Sequence, residues 1–263
     1  MQNRLHSMQL CAITDRRRLS AATQSEGALR RQLLGLVVSW TAGGVHFIQL
    51  REKDLAAPDL QSLAREMAEK IDHNRSKLLV NVSAEESAAL AVAAGADGVH
   101  LAGKPTPGTA LRVRQLFRAA DRAAGRTVGI DAIISVPCHT LDDIVVARKE
   151  QVDLMLFSPV FEKPAGPQAA LAGPAVSFHP ATELSSRPER SAVEGPAVSL
   201  PQAAPQGLEA LRRACAAAEG IPVLALGGVT SINARDCLTA GAAGVAGIRL
   251  FAADDWRRLL PAN

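Results

Sequence analysis

The chain has 263 residues, 48% of them hydrophobic and 21% charged, a balance ordinary for a globular protein. A net charge of +3 and an aromatic content of 3%, with no Tyr, argue against a nucleic-acid binder built on basic stripes and base-stacking platforms. No run approaches the ~18 uninterrupted apolar residues of a membrane span. Met1–Leu10 lacks the apolar heart of a signal peptide. Cys11, Cys138, Cys215 and Cys237 are scattered without metal-ligand spacing, so they read as core residues of a reduced, cytoplasmic protein.

Short apolar runs then alternate with segments at helical spacing. Gln9–Ile13 reads as a first strand ending in Thr14-Asp15-Arg16, and Glu26–Thr41 as a helix stopped by Gly43-Gly44. A second strand starts at Val45-His46 and runs, with no turn residue, into Arg51-Glu52-Lys53-Asp54. Asp59, after Pro58, is the expected cap of a helix to Ile71. Lys77–Asn81 is a third strand, Ala84–Ala94 an Ala-rich helix, Gly98–Leu101 a fourth strand and Gly108–Ala120 a helix. A fifth strand is expected within Val128–Ser135, followed by a helix over His139–Glu150 with Thr140 as its cap. Asp153–Phe157 is the sixth strand and Leu208–Ala218 a helix. Pro222–Val229 is a seventh strand closing on paired glycines, Ser231–Ala240 a helix, Gly244–Ile248 an eighth strand and Asp254–Leu260 a closing helix.

Eight strand–helix units predict an α/β protein with a (β/α)8 TIM barrel, one domain over residues 1–263. A doubly wound open sheet is the alternative, but the first strand lacks a G-x-G-x-x-G turn. The region that does not fit is a Pro/Ala-rich insertion after strand six, over about 164–206. Its few large apolar side chains cannot offset the entropy of ordering it, which predicts a mobile segment, either a lid or a tolerated surface insertion.

In such a barrel the carboxyl ends of the strands converge on one mouth, where ligands bind. They contribute Asp15, Arg16, Gln49, Arg51, Lys53, Asn81, His100, His139, Ser158, Gly227-Gly228 and Gly247-Ile248-Arg249. The mouth is therefore cationic and donor-rich, with few carboxylates. Glycines at the ends of strands seven and eight allow close backbone approach and mark a phosphate site, to which Arg51 and Lys53 add positive charge. His139, at a helix start just past strand five, is a candidate general base, whereas His100 reads equally as a satisfied barrel histidine. His6, His46, His73 and His179 read as structural or solvent residues.

Gln49-Leu-Arg-Glu-Lys53, Leu79-Val-Asn81, Ala94–Leu101, Ser158-Pro-Val-Phe161, Ala225–Val229 with Asn233, and Ala240–Ile248 occur in order. Together they resemble the thiamine phosphate synthase/TenI family over nearly the whole chain outside the insertion. The resemblance implies a barrel that binds a phosphorylated thiazole. It also implies that Gln49, Arg51, Lys53 and Asn81 match the pyrimidine-diphosphate motif, and that Gly228, Ile248 and Arg249 hold the thiazole phosphate. Arg249 stands where the family usually has Ser, and Lys163 partly stands in for the Lys of the loop after strand six.

Val82 and Pro105 replace the two Asp residues that hold magnesium in synthases, and Pro137 replaces a Ser. The favoured expectation is thus a TenI-like thiazole tautomerase with His139 as acid/base and no metal or other cofactor. The alternatives are a thiamine phosphate synthase, which would need magnesium, and a non-catalytic thiamine-phosphate binder. The expected partner is a phosphorylated thiazole, with no nucleic acid and no membrane; a homo-oligomer is compatible with the sequence.

Overall fold

The computed structural model describes residues 8–19, 25–83, 87–125, 131–162, 204–252 and 254–260. Eight parallel strands close into a barrel: β1 (Gln9–Ile13), β2 (Phe47–Leu50), β3 (Lys77–Val82), β4 (Gly98–Leu101), β5 (Ile133–Cys138), β6 (Leu154–Phe157), β7 (Val223–Ala225) and β8 (Gly244–Gly247). The ring closes where β1 lies parallel to β8, with Gln9 opposite Gly244 and Ala12 opposite Gly247. Outside it run α1 (Glu26–Ala42), α2 (Ala57–Lys70), α3 (Ala88–Ala94), α4 (Thr109–Ala123), α5 (Leu141–Lys149), α6 (Gly207–Ala217), α7 (Ala234–Thr239) and α8 (Arg249–Ala252). Among the described residues no helix is long and apolar enough to cross a membrane.

The pleat sorts each strand into two faces. Leu10, Ala12, Ile48, Leu50, Val80, Val82, Val99, Ile134, Val136, Met155 and Phe157 pack outward against the helices in one large core. Cys11, Ile13, Leu79, Leu154, Leu156, Leu224 and Ala246 form the smaller core inside the barrel. The same alternation carries Gln49, Asn81 and His100 inward at the upper end. Cys11, Cys138 and Cys237 are buried and all four cysteines are unpaired, as core residues should be.

Several boundaries differ from those expected. β5 runs on to Cys138, because Pro137 and Cys138 still pair with Leu156 and Phe157 of β6. α2 starts at Ala57 with Ala56 at its cap position and Pro58 in its first turn, so Asp59 is a first-turn residue and not the cap. β7 stops at Ala225, before the paired glycines. The helix expected from Ser231 starts at Ala234, since Thr230 and Asn233 exchange hydrogen bonds in a tight turn ahead of it. The closing segment Asp254–Leu259 is a 3-10 helix. Thr140 does cap α5: its hydroxyl accepts from the Asp143 N–H, and Asp143 accepts from the Thr140 N–H in return. Most of the Pro/Ala-rich insertion, from 163 to 203, and Lys163 with it, lies outside the described residues.

Candidate functional site

The upper mouth holds a cavity of about 730 Å³. Gln49, Arg51, Lys53, Asn81, His100 and His139 line it, with Pro137, Ser158, Leu226, Gly227 and Ile248. A neighbouring cavity of about 520 Å³ is lined by Asp15, Gly228, Thr230, Arg249 and Asp255, and shares Arg51, Leu226, Gly227 and Ile248 with the first. The residues expected at strand ends, Arg16 excepted, thus line one or the other of two adjoining compartments.

Gln49 is buried and donates from Nε2 to Asn81 Oδ1 at 3.1 Å. That bond leaves the Asn81 amide donors for other partners. Gln49 Oε1 is buried without a hydrogen-bond partner. An unmet acceptor beside a cavity is a costly feature that a ligand donor would relieve. Next to this pair His100 is buried, with Nδ1 3.0 Å from the Ser135 hydroxyl. Burial, and then the Arg51 charge, push its pKa down to about 3, so the ring is neutral at physiological pH.

His139 sits at the rim between β5 and α5. Its Nδ1 lies 2.7 Å from the Ser158 carbonyl oxygen, which can only accept, so Nδ1 carries the proton. Nε2 is then the basic nitrogen of a residue lining the cavity. Its backbone is held too, the His139 N–H donating to Asp143 of the α5 capping box at 2.8 Å. The Ser158 carbonyl thus fixes which ring nitrogen His139 presents to the cavity.

One expectation for the mouth needs correction. Arg16 does not face the cavity but is buried in an ion cluster with Glu26, Glu52 and Asp54. The paired glycines, which line the cavities, also make room for a neighbouring segment. Gly227 and Gly228 have φ of +91° and +67°, and a Cβ on either would run into the loop after β6. At Gly228 it would overlap the Glu162 carbonyl oxygen and lie 2.7 Å from Phe161 Cβ. That loop is bound to this edge by Val160 N–H to Leu226 O and Phe161 N–H to Gly227 O.

Sequence reading missed part of the rim. Phe161, Glu162, Ala204 and Pro205 line the larger cavity, and Gln206 donates from Nε2 to the Ser158 carbonyl at 3.0 Å. Residues 204–206, counted in the insertion, therefore belong to the mouth. The position of Gln206, immediately before a helix that follows strand six, was the only signal for it.

The residues at the two magnesium positions of the synthase pattern do not fit a hard cation. Val82 is on the outward face of β3 in the main core, and Pro105 is buried; neither offers a side-chain oxygen. Among the described residues no group of three or more His, Cys, Asp or Glu is arranged to hold a metal ion. Glu85 and Glu86 lie outside the described residues.

A family model described as thiamine monophosphate synthase matches residues 19–185 and 196–251. A protein of Geobacter sulfurreducens, provisionally named a thiamine-phosphate synthase, is 33% identical over 85% of this chain and 81% of its own length. The thiamine-phosphate synthase of Methanospirillum hungatei is 30% identical over 78% of this chain and 75% of its own. In fold, the chain is similar to the thiamine phosphate pyrophosphorylase of Pyrococcus furiosus, with a TM-score of 0.58 at 22% identity over 97% of this chain and 92% of that one. A barrel whose mouth gathers the Gln49–Lys53, Asn81 and Gly227–Arg249 segments, matched by that model over most of its length, belongs to the thiamine monophosphate synthase family.

Proposed function

We propose that this member of a thiamine-biosynthesis family binds a phosphorylated thiazole in the mouth and is a metal-independent thiazole tautomerase. The observation that carries this reading is the His139–Ser158 hydrogen bond, in a mouth whose magnesium positions are buried apolar residues. With Nδ1–H tied to a carbonyl, Nε2 accepts a proton from the thiazole ring. The imidazolium that results keeps the same bond, which strengthens as charge develops, and returns the proton at a second ring position. The ring carries one added negative charge between the two transfers, opposite the imidazolium that took the proton, and none once the proton is returned, so no departing anion calls for a hard cation.

The phosphate is assigned to the smaller cavity, beside Gly228, Ile248 and Arg249, with Arg51 between the two compartments. Arg51 or Lys53 is then free to hold the substrate carboxylate or a second anion.

A second reading, a thiamine phosphate synthase, is supported by the names of the relatives and by Gln49. Its buried, unpartnered Oε1 beside the Asn81 amide suits a flat ring that presents both a donor and an acceptor, as an aminopyrimidine does. In that reading Arg51 and Lys53 grip the diphosphate, and Lys163 adds a cation.

One paired assay separates these. The expected result is tautomerisation of the carboxythiazole phosphate that is insensitive to magnesium and chelator. His139→Ala should lower it on the order of 10²–10⁴-fold while phosphate binding is retained. Magnesium-dependent release of diphosphate from hydroxymethylpyrimidine diphosphate and thiazole phosphate would instead establish the synthase. Product binding with neither turnover would leave a binder.

A further inference from the structure

We propose that Arg16 is the positioning residue of the anion-binding edge, holding Arg51 and Lys53 in the mouth by occupying the two carboxylates interleaved with them. The inference rests on the anion-binding reading of Arg51 and Lys53 given above. Residues 51–54 alternate in charge, Arg-Glu-Lys-Asp, directly after β2. Left to itself such a segment pairs its own charges, and the cations are quenched by their neighbours.

The structure prevents this from the β1 side. The Arg16 side chain is 3% exposed, and its Nη1 donates to Glu52 at 3.0 Å and to Asp54 at 2.8 Å. Nη2 completes a forked contact with Asp54 at 2.9 Å, and the Arg16 backbone N–H donates to both Glu52 oxygens at 3.1 Å. Two residues earlier, Thr14 accepts from the Arg51 N–H at 2.9 Å and donates its own N–H to the Gln49 carbonyl.

With Glu52 and Asp54 turned to Arg16 in the segment that follows β2, Arg51 and Lys53 are left to the cavity, which both line. The fork matters as much as the charge. A guanidinium can serve Glu52, Asp54 and Glu26 at once through its separate N–H groups, and an ammonium cannot match that planar set.

The test is calorimetric titration of inorganic diphosphate into the full chain at fixed ionic strength. Arg16→Lys should weaken binding about tenfold, the scale of coupling between neighbouring groups. The same change in an Arg51→Met/Lys53→Met background should add no further loss, which a general structural defect would not spare. Asp54→Asn, which keeps Arg16 in place, should weaken binding in the same direction and covers the case in which Arg16→Lys does not fold. Unchanged affinity in the folded variants, or an equal loss in the double-Met background, overturns the positioning role alone. Wild-type protein that does not bind diphosphate overturns the anion-binding reading, and this inference with it.

Discussion

At the scale of the single residue, His100 shows how burial decides chemistry that residue type leaves open. Its sequence context allowed a mouth ligand or a satisfied barrel histidine. The inward pleat of β4, the Ser135 hydroxyl and the Arg51 charge make it a neutral hydrogen-bonding ring inside the barrel. Its ordinary pKa of 6.5 is lowered to about 3 in the folded chain. Below the higher value the unfolded imidazole binds a proton that the folded one refuses until the lower value is reached. His100 therefore supports stability fully above that range, and the support is lost as pH falls through it. His46, also depressed by burial, acts in the same direction. The expected outcome is a stability that falls between about pH 6.5 and 4 with a slope of up to ~1.4 kcal/mol per pH unit from His100. His100→Gln should flatten that slope, as read from urea unfolding across the range. A slope unchanged in the variant would mean that the ring titrates alike in both states.

At the scale of the element, the segments after β6 and β7 are one packed unit. The sequence placed a glycine pair at the right strand end and suggested the common use for it, approach to a phosphate. Those glycines also accommodate the chain at 159–162, which a linear reading cannot see because it arrives from the far side of the insertion. Gly228 combines φ of +67° with an overlap on the Glu162 carbonyl, whereas Gly44, at φ +81°, has nothing within 4 Å of a Cβ. Gly44→Ala should cost only the left-handed penalty of ~1–2 kcal/mol. Gly228→Ala should cost more than that and should also weaken phosphate binding, because the Ser158–Glu162 loop must move. Urea midpoints of the two variants, with phosphate titration of the second, check this; equal costs would refute it. Thr140 and Asp143, by contrast, were half legible. A Thr before a helix names the cap, but the same Asp143 carboxylate also accepts from His139, and that couples the helix start to the candidate base.

At the scale of the whole molecule, closure depends on how the last segment returns to the first helix. Aromatic residues are scarce, yet three of them meet at this seam. Phe251 stacks on Trp256 at 6.0 Å, and Trp40 meets it edge-on at 6.4 Å while donating from Nε1 to the Phe251 carbonyl at 3.1 Å. Gly43, at the end of α1, leaves the space that the Trp256 ring fills. Trp256→Ala should therefore destabilise the protein by ~3–5 kcal/mol, the range for emptying a buried aromatic site. Denaturant unfolding followed by circular dichroism checks it; a loss under ~1 kcal/mol would show that the seam is not part of the cooperative core.

The barrel was readable from the chain because its signals are local and repeated: apolar runs of strand length, helical spacing between them, and glycine stops. The family followed from motifs in register, and the absence of carboxylates at Val82 and Pro105 needed no coordinates. The strand ends also named the mouth residues, since in a parallel barrel every carboxyl end points the same way. Only the tertiary structure decided which of them act together. Arg16 left the mouth for a buried cluster with residues 10 to 38 positions away. The glycine pair also makes room for a neighbouring loop, and His139 acquired its tautomer from a carbonyl 19 positions on. The physical reason is common to all three. Periodicity is set by neighbours along the chain, whereas charge pairing, steric clearance and proton position are set by neighbours in space.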